Sequence, residues 1–439
     1  MTDPIVSGPQ PRSNRPLAAL GFIAVVLLVI GGGVVAVLNS KPIATPADVI
    51  GPPVRAASSH GDRVYILTSQ WKTYRPGVGR LNAGPTYTDL LVDVWAFGAG
   101  DAKPAWRTRL ETKRSGVNMG RTLLGADGGK LWALSQDGLV GLSLDDGAVT
   151  ADPARIEATN PQLKGLLPKD PRYYRFDAGG LGFTAADGRS WRVDGRSLAA
   201  RVDPSGEAVA TGPATIPAHI GGGNSYWVFM TRGLQMQTRW LGLLNEREAE
   251  AIRKAQAENT NGIKADGPGG IDPENQPRTR MWTAKISGRS AFFGPRRVFS
   301  DFAPLPESPE FLQGGLLTDG RIHSLPILLF KPDSVLVLHK DRLGDEGRFR
   351  LTRVSGPLGK AVWTVDLPMD RIESVMPGKG SVAMVGSRPE KPTWRSGVNN
   401  RPEDVDQVVA IDYATGAMGV YGLKVKATGP KNIPPSSTP

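Results

Sequence analysis

Residues 17–38 form an apolar stretch without a charged side chain, and this stretch constrains the fold more than any other feature of the sequence. Nearly all of its residues are Ala, Val, Leu, Ile or Gly, and no charge occurs between Arg15 and Lys41. Because lipid offers backbone groups no hydrogen-bond partner, a span of this kind must be helical. At about 1.5 Å per residue it would be about 33 Å long, enough for a hydrocarbon core of about 30 Å. We predict a transmembrane helix at 17–38 after a tail at 1–16.

The alternative interpretation of this stretch is a cleaved signal peptide. Signal peptides have apolar cores of roughly 7–15 residues followed by a small-residue cleavage site. The run here is longer, and no such site follows it cleanly. Arg12 and Arg15 precede the run, whereas the following flank carries only Lys41, Asp48 and Arg55. The positive-inside rule therefore predicts a single-pass protein of the inner (plasma) membrane, with a cytoplasmic tail and a periplasmic C-terminal domain.

The composition outside this stretch is that of a turn-rich globular domain without cysteine. The chain contains 54 Gly, 37 Pro and no Cys. The first two favour short strands joined by turns, and the last excludes disulfides, thiolate metal sites and a cysteine nucleophile. The net charge is +11, but basic and acidic residues alternate without a block of one sign. We therefore expect a solvated surface and no nucleic-acid partner.

The main part of the chain is a series of short apolar runs separated by Gly and Asp turns. Each run has five to nine residues and is rich in β-branched or aromatic side chains. Such spacing without long intervening helices predicts an antiparallel, all-β architecture. The clearest runs are 63–68, 89–97, 130–134, 139–144, 334–338, 381–385 and 407–412.

Three segments flank or interrupt this β domain, which we place at 54–427. Residues 39–53 are rich in Pro and small residues and predict a linker, and residues 428–439 predict a disordered tail. Residues 241–280 predict an insertion with one short helix from Glu246 to about Ala257. The helix has a capping Asn residue before it and acidic residues in its first turn.

Two patterns recur within the β domain. Gly138–Val149 aligns without gaps on Gln407–Met418, and each copy contains a turn closed by Gly147 or Gly416. In the second pattern a Trp is followed four residues later by Leu or Ile, so that both would share one face of a strand. Internal recurrence of this kind indicates a repeat fold. The tryptophans are Trp106, Trp282 and Trp363.

These patterns resemble the repeat of quinoprotein-like β-propellers, which reads V-x-A-L-D, a turn of the form x-x-G, and a strand beginning W-x-x-x-L. Val409–Asp412 with Gly416 matches the first part, as does Val140–Ser143 with Gly147, and the three tryptophans match the second. The spacing between the two glycines accommodates about six repeats of roughly 40–50 residues, or about five if one long insertion is discounted. The resemblance implies a six- to seven-bladed propeller of four-stranded antiparallel blades.

Catalytic members of that family bind a quinone and calcium through carboxylates, often beside a disulfide of adjacent cysteines. This chain has no cysteine, and Asp145-Asp146 precedes a turn glycine, as is typical of turns. No nucleophile motif or phosphate-binding loop is present either. The four histidines are also too dispersed for a metal site, which needs several ligands together. They are His60, His219, His323 and His339. We therefore predict no cofactor, no metal and no catalytic residue.

Two segments combine aromatic and basic side chains, which are the usual anchors of protein interfaces. The first contains Trp71, Tyr74, Arg75, Arg80 and Tyr87, and the second contains Trp394 and Arg395. Alternatively, their aromatic rings fold back onto the sheets as parts of long hairpin connections.

Two functions remain open from these observations. The first is a membrane-anchored scaffold that binds another envelope protein through these segments. The second is an envelope enzyme, a quinone-dependent dehydrogenase or a hydrolase, that uses the centre of the propeller. The absence of catalytic motifs from the sequence favours the scaffold.

Overall fold

The computed structural model describes residues 43–74, 87–114, 120–177, 179–203, 230–231, 233–236, 239–257, 278–287, 290–291, 294–295, 298–317, 334–343, 346–356, 358–390 and 403–424. The predicted transmembrane helix at 17–38 and the tails at 1–16 and 428–439 lie outside these residues. Among the residues that are described, no helix is long and apolar enough to cross a membrane.

The domain is all-β, as predicted. Two α-helices interrupt the strands of the described part, α1 (Pro153–Thr159) and α2 (Glu246–Ala257). The first fourteen strands are β1 (Ile43–Ala44), β2 (Asp48–Val49), β3 (Val54–Ser58), β4 (Gly61–Tyr74), β5 (Tyr87–Gly98), β6 (Pro104–Arg114), β7 (Thr122–Asp127), β8 (Lys130–Ser135), β9 (Gly138–Ser143), β10 (Val149–Ala151), β11 (Tyr174–Asp177), β12 (Gly180–Thr184), β13 (Ser190–Val193) and β14 (Ala200–Val202).

The second half of the chain continues in the same manner, with each strand antiparallel to its partners. Its strands are β15 (Met230–Thr231), β16 (Gly233–Met236), β17 (Arg239–Leu244), β18 (Arg278–Ser287), β19 (Ser290–Ala291), β20 (Gly294–Pro295), β21 (Val298–Pro304), β22 (Phe311–Leu317), β23 (Ser334–Lys340), β24 (Phe349–Ser355), β25 (Ala361–Asp366), β26 (Arg371–Pro377), β27 (Ser381–Glu390), β28 (Glu403–Asp412) and β29 (Met418–Gly422).

Within the described residues, 24 of the 29 strands form six antiparallel meanders of four strands each. We number them in chain order. Meanders 1, 2 and 3 are β3–β6, β7–β10 and β11–β14, and meanders 5 and 6 are β22–β25 and β26–β29. Meander 4 consists of β16, β17, β18 and β21, and a short ladder between β18 and β22 joins it to meander 5.

Neighbouring meanders pack face to face through apolar side chains. Separate core clusters join meander 1 to 2, 2 to 3, 4 to 5 and 5 to 6. A fifth cluster joins meander 6 back to meander 1. In β4, Val64 and Ile66 pack against meander 6, whereas Tyr65 and Leu67 pack against meander 2. Because successive side chains of a strand point to opposite faces, both faces of this strand are buried.

The segment before β3 differs from the linker predicted at 39–53, because from Ile43 onward it is attached to the sheet. β3 pairs with β4 only as far as Tyr65. Beyond that point β1 and β2 pair with the edge of β4 that β3 leaves uncovered. On the other side, the Val49 N–H donates to Asp406 Oδ2 of β28 at 2.5 Å, and the Ala47 N–H donates to Leu423 O at 3.3 Å. Residues 43–50, which we call the N-terminal strap, therefore bridge the first and last meanders.

Trp106 and Trp363 occupy equivalent positions in different meanders. Each is the third residue of the fourth strand, β6 in meander 1 and β25 in meander 5. The Trp106 indole N–H donates to Leu144 O at 3.2 Å, and that of Trp363 donates to Tyr413 O at 2.9 Å. Both acceptors belong to the turn between the third and fourth strands of the next meander.

The glycines of the recurring motif lie directly under these two indoles. Gly147 and Gly416 have φ values of +74° and +75°. A Cβ atom at Gly147 would lie 2.5 Å from the Trp106 ring, and one at Gly416 would lie 2.9 Å from the Trp363 ring. Glycine is thus required at both positions by its backbone conformation and by the close ring.

Trp282 does not share this position, although its sequence pattern is the same. It lies on β18, the third strand of meander 4, where it is fully buried and stacks on Phe302 at 5.0 Å. Its face of the sheet packs against helix α2 rather than against a turn of a neighbouring meander. The expectation of three equivalent tryptophans is therefore wrong for Trp282.

Helix α2 forms where the sequence predicts it, but the insertion is shorter than 241–280. Asn245 Oδ1 accepts from the Glu248 N–H at 2.8 Å, and Glu248 Oε2 accepts from the Asn245 N–H at 2.9 Å. This reciprocal capping fixes the start of the helix. Leu241 and Leu243, however, are core residues of β17, and Arg278–Arg280 belong to β18. Deleting 241–280 would therefore remove most of β17 and the first three residues of β18.

Replacing Trp106 with Ala is expected to lower the free energy of unfolding by about 3–5 kcal/mol, as for other buried aromatic truncations. The indole is 7% exposed and fills the space between Tyr65 and Gly147. Denaturant titration of purified full-length protein measures the change. Tyr173→Ala, at an exposed aromatic residue, should change it by less than about 0.5 kcal/mol. Equal effects of the two substitutions would contradict this packing role.

Candidate binding surface

The hairpin of β4 and β5 is much longer than the hairpins of meanders 2 and 3. β4 has 14 residues and β5 has 12, whereas β8 and β9 have six each. β3 pairs with β4 only as far as Tyr65, and the N-terminal strap pairs with the remainder. The distal part of this hairpin therefore extends beyond the four-stranded core of its meander.

A cluster of aromatic and basic side chains covers the distal end of the hairpin. Tyr74 and Tyr87 are cross-strand partners, and their rings stack at a centroid distance of 4.8 Å. Lys72 Nζ is 5.2 Å from the Tyr74 ring centroid, and the Arg114 guanidinium is 4.0 Å from that of Tyr87. Asp89 also lies beside Arg114, at 3.9 Å. We call Lys72, Tyr74, Tyr87 and Arg114 the tyrosine stack.

Trp71 belongs to the sheet rather than to an exposed loop. Its ring is partly buried and packs against the core between meanders 1 and 2. The backbone N–H of Trp71 donates to Thr45 Oγ1 at 3.1 Å, and the backbone carbonyl of Trp71 accepts from the Thr45 N–H at 2.9 Å. Trp71 is therefore an attachment point of the N-terminal strap, which corrects its interpretation as an interface anchor.

The remaining predicted binding residues, Arg75, Arg80, Trp394 and Arg395, lie outside the described residues. The segments that contain them nevertheless have corresponding places in the topology. Residues 75–86 connect the second and third strands of meander 1, and residues 391–402 connect the second and third strands of meander 6. These two meanders pack against each other.

The β27–β28 hairpin of meander 6 is also long, with ten residues in each strand. It extends toward the same end of this pair of sheets as the β4–β5 hairpin. At the opposite end, a Cβ atom at Gly419, at the start of β29, would contact the backbone of Asp101 in the turn between β5 and β6. The turns between third and fourth strands of meanders 1 and 6 therefore meet there. Since strands alternate in direction, the connections after Tyr74 and Glu390 leave from the other end.

A group of carboxylates surrounds the contact between the strap and meander 6. Asp406 is 8% exposed, and burial raises its pKa to about 7, although the Val49 N–H hydrogen bond opposes the shift. The negative charges of Glu373, Asp48 and Asp404 raise the pKa of Asp406 further. Burial also raises the pKa of Glu373, which lies 3.9 Å from the Arg371 guanidinium.

The two described histidines have ordinary structural surroundings. Burial lowers the pKa of His339, whose Nε2 lies 2.8 Å from Thr352 Oγ1. His60 is exposed in the turn between β3 and β4, and His219 and His323 lie outside the described residues. In the part of the chain that the structure describes, no group of three or more His, Asp or Glu side chains is arranged to hold a metal ion.

Comparisons with known proteins leave the family of this chain open. No protein-family model matches it, and no curated protein matches it. Among solved structures, it is similar to a puromycin-hydrolysing peptidase of Mycobacterium tuberculosis, with 12% identity and a TM-score of 0.24. The similarity covers 87% of this chain but only 54% of the peptidase chain, so this chain spans about half of that protein.

The contribution of Asp406 to the free energy of unfolding is expected to fall as the pH rises from about 4 to about 7. A carboxyl group whose pKa is raised by folding contributes stability in its protonated form, and that contribution is lost as the pH passes the folded pKa of about 7. Asp406→Asn keeps an acceptor for the Val49 N–H and removes the titration, so it should flatten this dependence and stabilise the protein at pH 8.

Denaturant unfolding at several pH values measures the effect. Asp137→Asn is the matched control, since this carboxylate is 71% exposed and forms its ion pair with Lys113 of β6 rather than with a residue of the strap. It should leave the pH dependence unchanged. An identical slope in the wild type and in Asp406→Asn would show that Asp406 does not titrate in this range.

Proposed function

We propose that the six meanders are the blades of one β-propeller of the quinoprotein-like type. A six-bladed ring needs six contacts between neighbours, and the described residues provide five, including the contact of the last blade with the first. The equivalent Trp106–Gly147 and Trp363–Gly416 contacts support the same arrangement, because stacked repeats reuse their nearest-neighbour contacts. A closed ring also protects the sheet edges from pairing with other chains.

The ring is anchored in the inner (plasma) membrane by a helix at 17–38 and lies on the periplasmic side. The uncharged sequence of that segment and the preceding Arg12 and Arg15 support this topology. On this anchor the propeller acts as a scaffold that binds another envelope protein. A rigid body with long connections at one end suits this role, because binding residues are often held on loops by a stable framework.

The observation that carries the scaffold role is the pair of long hairpins in the adjacent meanders 1 and 6. Their connections, 75–86 and 391–402, leave from the same end of two sheets that are packed together. Arg75 and Arg80 belong to the first connection, and Trp394 and Arg395 belong to the second. Arg and Trp are the residue types that contribute most to protein interfaces, where truncation can cost about 2 kcal/mol or more of binding free energy.

Replacing Trp394 and Arg395 together with Ala is expected to abolish capture of the partner without unfolding the domain. The variant and the wild type are expressed as full-length chains, cross-linked in their native membranes and purified, and the cross-linked proteins are compared quantitatively. Replacing Arg75 and Arg80 should weaken the same complex. Denaturant unfolding of each variant confirms that the domain remains folded.

The matched control is the double substitution Arg172→Ala and Tyr173→Ala. These residues are also a basic and an aromatic side chain, and both are exposed in the connection between meanders 2 and 3. The control should retain the complex. Retention of every cross-linked protein by the Trp394 and Arg395 variant would contradict docking through these connections.

A further inference from the structure

The N-terminal strap meets the β4–β5 hairpin at its distal end and runs from there toward the core. Ile43 is the cross-strand partner of Thr73, and Val49, six residues later, is that of Thr68. The chain therefore arrives from the side of the tyrosine stack. Ile43, the first residue that the structure describes, therefore lies at the distal end of this hairpin.

The distance from the proposed anchor to this point is short. Five Cα–Cα steps separate Leu38, the last residue of the proposed helix, from Ile43. A fully extended chain advances at most about 3.3–3.6 Å per residue, which gives a reach of about 18 Å. The headgroup region on one side of a bilayer takes up about 5–7 Å of this length.

The side chains at this end of the hairpin suit a membrane surface. Tyrosine is enriched at membrane–water interfaces, where the ring contacts the acyl boundary and the hydroxyl remains hydrated. Lys72 and Arg114 flank the two rings, and Asp89 balances only one of the two positive charges. Basic side chains beside a membrane span are attracted to anionic lipid headgroups. The sequence has a further basic residue, Lys41, two positions before the strap.

We propose that the tyrosine stack inserts into the anionic headgroup layer of the membrane that holds the anchor. The contact orients the propeller, since the hairpin end of meander 1 faces the lipid and the turns between third and fourth strands face away. The partner that binds through 75–86 and 391–402 would then be held at the membrane surface. This inference rests on the proposed anchor at 17–38. A protein partner of Tyr74 and Tyr87 is the competing occupant of the same surface.

Site-directed spin labelling tests the contact in the full-length chain, which has no native cysteine. Thr73→Cys places a label at the same end of the hairpin, on the opposite face of β4 from Lys72 and Tyr74, without removing any side chain of the stack. Asp146→Cys places a label on an exposed turn between third and fourth strands. The protein is reconstituted into nanodiscs of phosphatidylcholine and phosphatidylglycerol. A lipid-bound nickel chelate should enhance relaxation of the label at position 73, whereas the label at 146 should respond only to water-soluble nickel.

A second pair of variants tests the charges. In the Thr73→Cys background, Lys72→Ala with Arg114→Ala should reduce the effect of lipid-bound nickel, as should omission of phosphatidylglycerol. Arg189→Ala, which removes an exposed charge of meander 3, is the matched control and should leave the effect unchanged.

The outcomes separate the anchor from the contact. Protein that elutes apart from the nanodiscs would overturn the proposed anchor and this inference with it. Protein that stays with the nanodiscs while the label at position 73 responds only to water-soluble nickel would overturn the lipid contact alone. Protection of that label only in native membranes, and not in nanodiscs of pure lipid, would assign the surface to a protein partner instead.

Discussion

The contact between meanders 1 and 6 is the interaction on which the rest of the architecture depends. Val64 and Ile66 have no other apolar surface to pack against, because the alternate residues of β4 already face meander 2. Without this contact, one face of the first sheet and one face of the last would expose their valine, isoleucine and aromatic side chains to water. Burial of that area, at roughly 25 cal/mol per Å², joins the two ends of the chain.

The N-terminal strap strengthens this contact but places a carboxylate in a poorly hydrated position. Its hydrogen bond from Val49 to Asp406 satisfies a buried acceptor, yet the same burial and the nearby Glu373 disfavour the charged form. Such a buried polar contact contributes little net stability in its ionised state, but it fixes the position of the strap. Apolar packing therefore provides most of the stability of the contact between meanders 1 and 6, and the strap contributes hydrogen bonds that fix its own position.

The sequence predicts those features that depend on local chemistry. Alternating apolar residues identify the strands, and the Asn245–Glu248 capping pair marks the start of helix α2. Trp282 shows the limit of such patterns, since the spacing of Trp and Ile is the same on a third strand as on a fourth. The attachment of residues 43–50 is not visible either, because pairing to a free edge requires only backbone groups and leaves no apolar period.

The tyrosine stack is likewise a product of topology rather than of a motif. Arg114 lies 27 positions after Tyr87 in the sequence and reaches it only because β6 pairs with β5 in the register that places Arg114 opposite Asp89. Trp71, which looks like the strongest anchor of the segment, points instead into the core. The strap then determines which part of the fold lies beside Ile43, the first described residue. One edge of β4 thus decides how meander 1 is joined to meander 6 and from which side the proposed anchor would approach it.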